Sequence, residues 1–63
     1  MFKADYENES KEIDRVLREA NIKAIRKADI RRKFNLSHLK APPIYSGLVK
    51  LGWRESWSVL ERD

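Results

Sequence analysis

Hydrophobic positions along this chain change their spacing several times, and each change marks an element. Ile13, Val16, Leu17 and Ala20 fall at i, i+3, i+4 and i+7, one face of a 3.6-residue repeat, so a first helix is expected over 11–20. Ser10 stands where an N-cap belongs, Glu12 and Asp14 lie early in the helix and Arg15 and Arg18 late, as the helix dipole prefers. Asn21 suits a left-handed exit. The segment 1–9 is polar apart from Met1, Ala4 and the aromatics Phe2 and Tyr6, and reads as an arm that pins one aromatic onto the core, in preference to a short extra helix.

Ile22-Lys23-Ala24-Ile25 alternates apolar and polar, the period of a short strand. A second helix is expected from Lys27 or Ala28 to Phe34, with Ile30 and Phe34 inward. Asn35-Leu36-Ser37 forms a turn, Asn35 taking the left-handed conformation and Ser37 capping the segment after it. Pro42-Pro43 disfavours helical backbone at Ala41 and Pro42, so a loop is expected over 37–42. Pro43 then opens a third helix that runs to Leu51, with Ile44, Leu48 and Leu51 facing the core and Gly52 ending it. From Trp53 to Leu60 the period becomes two, with Trp53, Trp57 and Val59 on one side of a strand.

The expected fold class is mainly α with a small β element, ordered helix-strand-helix-helix-strand, comprising an arm over 1–9 and one domain over 10–63. At 63 residues without cysteine, no disulfide or thiolate cluster supports the fold. The core must come from the aliphatics with Phe2, Tyr6, Phe34, Tyr45, Trp53 and Trp57. No apolar stretch approaches the roughly 20 residues that span a bilayer, and no signal-peptide h-region comes after Met1, so a cytoplasmic protein without membrane association is expected.

Charge sharpens the picture because it is unevenly spread. Residues 1–20 hold four Lys/Arg and six Asp/Glu (−2), residues 21–40 hold seven against the single Asp29 (+6), and residues 41–63 hold three of each (0), which gives the net +4. A basic block between balanced flanks is the footprint of a phosphate-binding face, or else simply a solvated surface. Enzymatic motifs are absent: there is no nucleophile with a nearby base, no glycine-rich phosphate loop and no metal quartet. His38 is the single histidine, which argues against a metal site, and no cofactor or small-molecule substrate is implied.

The run Ala28-Asp29-Ile30-Arg31-Arg32-Lys33-Phe34-Asn35-Leu36-Ser37, then Pro43-Ile44-Tyr45-Ser46-Gly47-Leu48-Val49-Lys50-Leu51-Gly52-Trp53, resembles the winged helix-turn-helix family over roughly residues 10–60. The Leu-Gly-Trp ending is also similar to that of the small C-terminal DNA-binding domains of phage and plasmid primase-helicases of the virulence-associated E type. The resemblance implies a three-helix winged helix-turn-helix that binds double-stranded DNA, in the replication or transcription regulation of a mobile genetic element. It further implies that the third helix enters the major groove. Base-edge candidates are then His38, Lys40, Tyr45, Ser46 and Lys50; phosphate candidates are Lys27, Arg31, Arg32, Lys33 and Arg54.

The chain departs from the family at two points. Its proline pair lengthens the turn beyond the usual three or four residues, and the ten residues after Trp53 leave room for one strand and barely a return strand.

Each candidate has a plainer counterpart. Tyr45 is equally a half-buried core aromatic, Gly47 a close-packing site between helices, and His38 a capping or loop residue. Trp53 and Trp57 are read as core or inter-sheet anchors rather than a base-stacking platform. The rival function is a winged-helix adaptor that binds protein, since fold does not fix function. It would be favoured if Arg31, Arg32 and Lys33 paired with Glu7, Glu9 or Glu12. RNA or single-stranded DNA is a third class, disfavoured because the aromatics lie mostly outside the basic block. No heptad or apolar stripe is left over, so a monomer or weak dimer is expected, either a whole protein or part of a larger one.

Overall fold

The computed structural model describes residues 6–63; readings that concern Met1 to Asp5, Phe2 among them, lie outside the described residues. Three helices, α1 (Tyr6–Glu19), α2 (Lys27–Phe34) and α3 (Ala41–Lys50), are joined by a small sheet of β1 (Ala24–Arg26), β2 (Arg54–Glu55) and β3 (Val59–Glu61). The chain is mainly helical with a three-stranded antiparallel sheet.

All three helices stop where a single residue takes a left-handed backbone: Asn21 at φ 65°, Asn35 at φ 57° and Gly52 at φ 112°. Around each, backbone N–H groups fold back onto orphan carbonyls. Ile22 N donates to Leu17 O (2.9 Å), Leu36 N to Arg31 O (2.9 Å) and Trp53 N to Leu48 O (3.0 Å). These are Schellman-type endings, and they fix the direction in which the chain leaves each helix.

Two helix starts differ from the sequence expectation. α1 already includes Tyr6 to Ser10, which the sequence assigns to the arm and the cap. Tyr6 packs on the core, Glu7 and Glu9 occupy the dipole-favoured first turn, and Ser10 is buried inside the helix. Instead of capping its own helix, Ser10 Oγ donates to Ile44 O in α3 (3.3 Å). α3 likewise begins at Ala41, two residues before Pro43. The prolines occupy its first turn, where a missing N–H costs nothing because those donors have no intrahelical partner. A preceding turn held by Ala41 N to Ser37 O (3.0 Å), with Ser37 Oγ accepting from Lys40 N (3.2 Å), leads the chain in.

The largest correction concerns the C-terminal strand. Residues 53–60 are not one strand but hold β2, the turn Ser56-Trp57-Ser58 and the start of β3 of a hairpin. β3 returns as the central strand of the order β1-β3-β2, pairing Arg26 with Val59, Ile25 with Leu60 and Ala24 with Glu61 on one side. On the other side it pairs Arg54 with Glu61 and Glu55 with Leu60. The pairing buries Leu60, whereas Trp57 sits at the tip with 93% of its surface exposed, so it is no inter-sheet anchor.

The core joins Ile13 and Leu17 of α1, Ile30 of α2, Leu36 of the turn, Ala41, Ile44, Tyr45 and Leu48 of α3, Trp53 and Leu60. Trp53 has a polar anchor as well. Its Nε1 donates to Asp14 Oδ1 (2.7 Å), the same oxygen that Arg18 Nε reaches at 2.7 Å, while Arg18 Nη2 donates to Leu51 O (3.1 Å). One carboxylate thus ties the end of α3 to α1.

Candidate nucleic-acid interface

With Ile44 and Leu48 fully buried, helix periodicity turns Pro42, Ser46 and Val49–Lys50 outward, and all four are exposed. α3 therefore stands as a ridge with a groove on each side. Towards α2 lies an open cleft of about 280 Å³, lined by Lys27, Ala28, Arg31, His38, Ala41, Pro42 and Tyr45. Towards α1 lies a second, of about 230 Å³, lined by Tyr6, Glu7, Pro43, Ser46, Gly47 and Lys50.

Gly47 brings α1 and α3 close together. A Cβ there would stand 2.1 Å from Ser10 Oγ and 2.6 Å from Ser10 Cβ, so only glycine permits this approach. The height of the ridge above α1 depends on that closeness.

The α2-side cleft has no carboxylate in its lining. Lys27 and Arg31, one helical turn apart, face α3 across it, and Arg31 Nη2 lies 3.4 Å from His38 Nε2. The Nε of Arg31 is buried and has no hydrogen-bond partner, and among the described residues no carboxylate comes within ion-pair distance of this guanidinium. With no carboxylate paired to it, the guanidinium has the donor capacity of its Nη groups left for an incoming anion. Lys27 is less free. Its Nζ pairs with Glu55 at 2.7 Å and sits 5.2 Å above the Tyr45 ring centroid.

The structure brings Lys27, Arg31 and His38 together and separates the remaining candidates. Tyr45 leaves the base-edge set: it is 8% exposed, and its hydroxyl donates to Lys27 O (3.3 Å). Burial pushes its phenol above the ordinary value of 10.0, against the opposing pull of the Arg31 and Lys27 charges. Lys40 precedes α3 but reaches back to Glu9 (2.8 Å), whose hydrogen bond and charge raise its pKa above the ordinary value. Ser46 and Lys50 stay on the ridge, and Lys50 has no carboxylate partner among the described residues.

Arg32 is exposed beside Asp29 (3.9 Å), which also receives Arg26 (3.4 Å). Lys33, two residues from Arg31, projects from the opposite flank of α2, so the basic run does not share one face. Arg54 lies in the hairpin, tied to Asp63 (3.1 Å) and Glu61 (4.0 Å). Exposed pairs of this kind contribute little and are readily exchanged for phosphate.

Two ridge residues are not among those expected from the sequence. Pro42 and Val49 lie on the outward side of α3, and Val49 is 41% exposed. The register set by Ile44 and Leu48 points to both, once Pro42 is counted as helical.

Among the described residues no group of His, Asp or Glu side chains is disposed to hold a metal ion, and no helix is long and apolar enough to cross a membrane. Comparison with protein-family models, with curated proteins and with solved structures finds no match to this chain.

Proposed function

We propose that this domain binds double-stranded DNA as a winged helix-turn-helix. In this reading the α3 ridge enters the major groove and the α2-side cleft receives the phosphate backbone. The observation that carries it is the cleft beside α3 without a carboxylate in its lining, where Lys27, Arg31 and His38 converge and Arg31 has no carboxylate partner among the described residues. A helix-strand-helix-helix-hairpin order with β3 between β1 and β2 supports the winged layout. Ser46 and Lys50 then meet base edges, and Pro42 and Val49 offer apolar contact of the kind a thymine methyl accepts. Arg31 and Arg32 neutralise phosphates and set register without reading sequence.

The adaptor alternative would gain if Arg31, Arg32 and Lys33 paired with Glu7, Glu9 or Glu12 of α1. Among the described residues none of them does; the pair that α1 does make with the basic block is Glu9–Lys40. A role in replication or regulation of a mobile element belongs to the same proposal and rests on the resemblance alone.

The test is titration into a random-sequence duplex at two salt concentrations, with Arg31→Ala/Arg32→Ala alongside. Binding in the micromolar class is expected, steeply weakened by salt. The slope of log K against log salt should be shallower in the variant by about 0.9 for each phosphate it no longer neutralises. A folded sample that fails to bind at low salt would sink the DNA reading and leave the adaptor.

A further inference from the structure

Trp57 has no structural role that accounts for it. It is 93% exposed, while Trp53, the other tryptophan, is 2% exposed and hydrogen-bonded in the core. Turn chemistry does not explain it either. Ser56, Trp57 and Ser58 link β2 to β3, closed by Ser56 N donating to Val59 O (2.9 Å), yet none of the three has positive φ, and nothing in such a turn calls for an indole. A domain this small, with ten buried hydrophobic side chains among the described residues, nonetheless presents a large aromatic to water at the end of a hairpin.

Its position in the fold differs from its position in the sequence. Residue 57 is far from the basic block along the chain, but Lys27 N donates to Ser58 O (2.8 Å) and Arg26 pairs with Val59. The hairpin tip is therefore fastened to the first residue of α2, where the Lys27–Arg31 cleft begins. Arg26, with a side chain 74% exposed, lies next to it.

At the tip the indole stands among the exposed, polar Glu55, Ser56 and Ser58, while the apolar cleft of Ile22, Ala24, Ile25 and Val59 runs along β1 and β3 with Arg26 and Asp29 in its lining. A protein partner needs an interface on the order of 1,000 Å² with an apolar centre, which a single ring among serines does not offer. A nucleobase needs only one π-face, with cations nearby to track the backbone.

From these observations we infer that Trp57 stacks on an unpaired base, so that the domain prefers duplex DNA carrying a single-stranded tail over fully closed duplex. The inference rests on the DNA-binding reading above. Within a duplex both faces of every base are already stacked, and the indole gains access only where the stack is open. The ridge and cleft hold the duplex, and the tip, attached at the head of α2, meets the strand that leaves it.

The experiment compares a covalently closed circular duplex, which has neither ends nor loops, with a linear duplex of the same sequence bearing a short thymidine tail, each titrated with wild type and Trp57→Ala. Because the side chain is solvent-exposed, the variant keeps its thermal midpoint. Wild type is expected to prefer the tailed DNA by roughly five- to a hundredfold, the range of one aromatic–base stack, and Trp57→Ala to bind both at the closed-circle affinity. Tryptophan emission supplies an independent readout, because tailed DNA should quench the exposed Trp57 and leave the buried Trp53 component. Equal wild-type binding to both DNAs would overturn this inference and leave duplex binding standing. So would a tail preference that survives Trp57→Ala, or self-association that Trp57→Ala abolishes. Failure to bind either DNA would overturn both.

Discussion

Tyr45 shows at the scale of one residue how position decides between two chemically reasonable roles. Its pattern along α3 is compatible with an outward or a half-buried ring, and what settles the matter is the placement of α2, which puts Lys27 O within reach of the hydroxyl. No local pattern carries that information, and the same holds for Ser10, whose sequence context is that of a cap but whose hydroxyl is used by Ile44 O. By contrast Asn21, Asn35 and Gly52 are legible as helix exits, because a left-handed backbone is a property of the residue itself. Burial raises the Tyr45 pKa, and the sign of the consequence comes from linkage. The unfolded phenol ionises first, from about pH 10, so the native state's hold on the proton is progressively lost as pH rises towards the folded pKa. Urea midpoints measured from pH 7 to 11 should therefore fall for wild type relative to Tyr45→Phe. At neutral pH the variant should be the less stable by about 0.5–1.5 kcal/mol, the worth of the hydroxyl's hydrogen bond. A constant difference across the range would show that the hydroxyl is not buried.

Among the elements, helices with a single apolar face are readable from the chain and the hairpin is not. α2 matches its expected span because Ile30 and Phe34 fix its register and Asn35 ends it. β2 and β3 are hidden because Ser56-Trp57-Ser58 has none of the Gly or Asn chemistry that announces a tight hairpin turn, and the alternation of Trp53, Trp57 and Val59 imitates one continuous strand. α3 starts two residues earlier than Pro43 because a helix's first turn tolerates proline, and that tolerance outweighs the restriction proline places on the residue before it. The candidate site is legible to the same partial degree: Ser46 and Lys50 come from helix register, whereas the cleft depends on how α2 meets α3. The packing of α1 on α3 yields a prediction at this scale. Gly47→Ala forces a methyl into Ser10, whose Cβ as well as Oγ is too close to yield without backbone movement. Overpacking of this kind costs about 1–3 kcal/mol, and each kcal/mol lowers the melting temperature of so small a domain by roughly 4–8 °C. The penalty should shrink when Ser10→Gly is present as well, a coupling that a double-mutant cycle reads directly. Additive effects of the two substitutions would mean that α1 and α3 do not touch there.

For the whole molecule, the distribution of charge governs how a polyanion is met. The net charge of +4 is modest, and much of it is locally answered: Lys40 by Glu9, Arg54 by Asp63, Lys27 by Glu55. Of these, Lys27–Glu55 is the pair beside the α2-side cleft, and it links the hairpin to the head of α2. In the proposed complex Glu55 competes with a phosphate for the same ammonium and repels the backbone as well. Glu55→Gln keeps a hydrogen-bond acceptor for Lys27, so the hairpin stays in place, while one negative charge is removed from a chain of net +4. Duplex affinity at low salt should then increase about two- to fivefold, the scale of a partly exposed ion pair. If Lys27 takes up a phosphate, the salt dependence should steepen by up to about 0.9 in the log–log slope, so that the gain fades as salt is raised. Tighter binding with an unchanged slope would mean that the carboxylate acted through its field and that Lys27 remains over the Tyr45 ring. Unchanged affinity at every salt concentration would place the backbone away from the α2-side cleft. The phosphates would then have to be met from the other side of the ridge, where Lys50 lines the groove between α3 and α1.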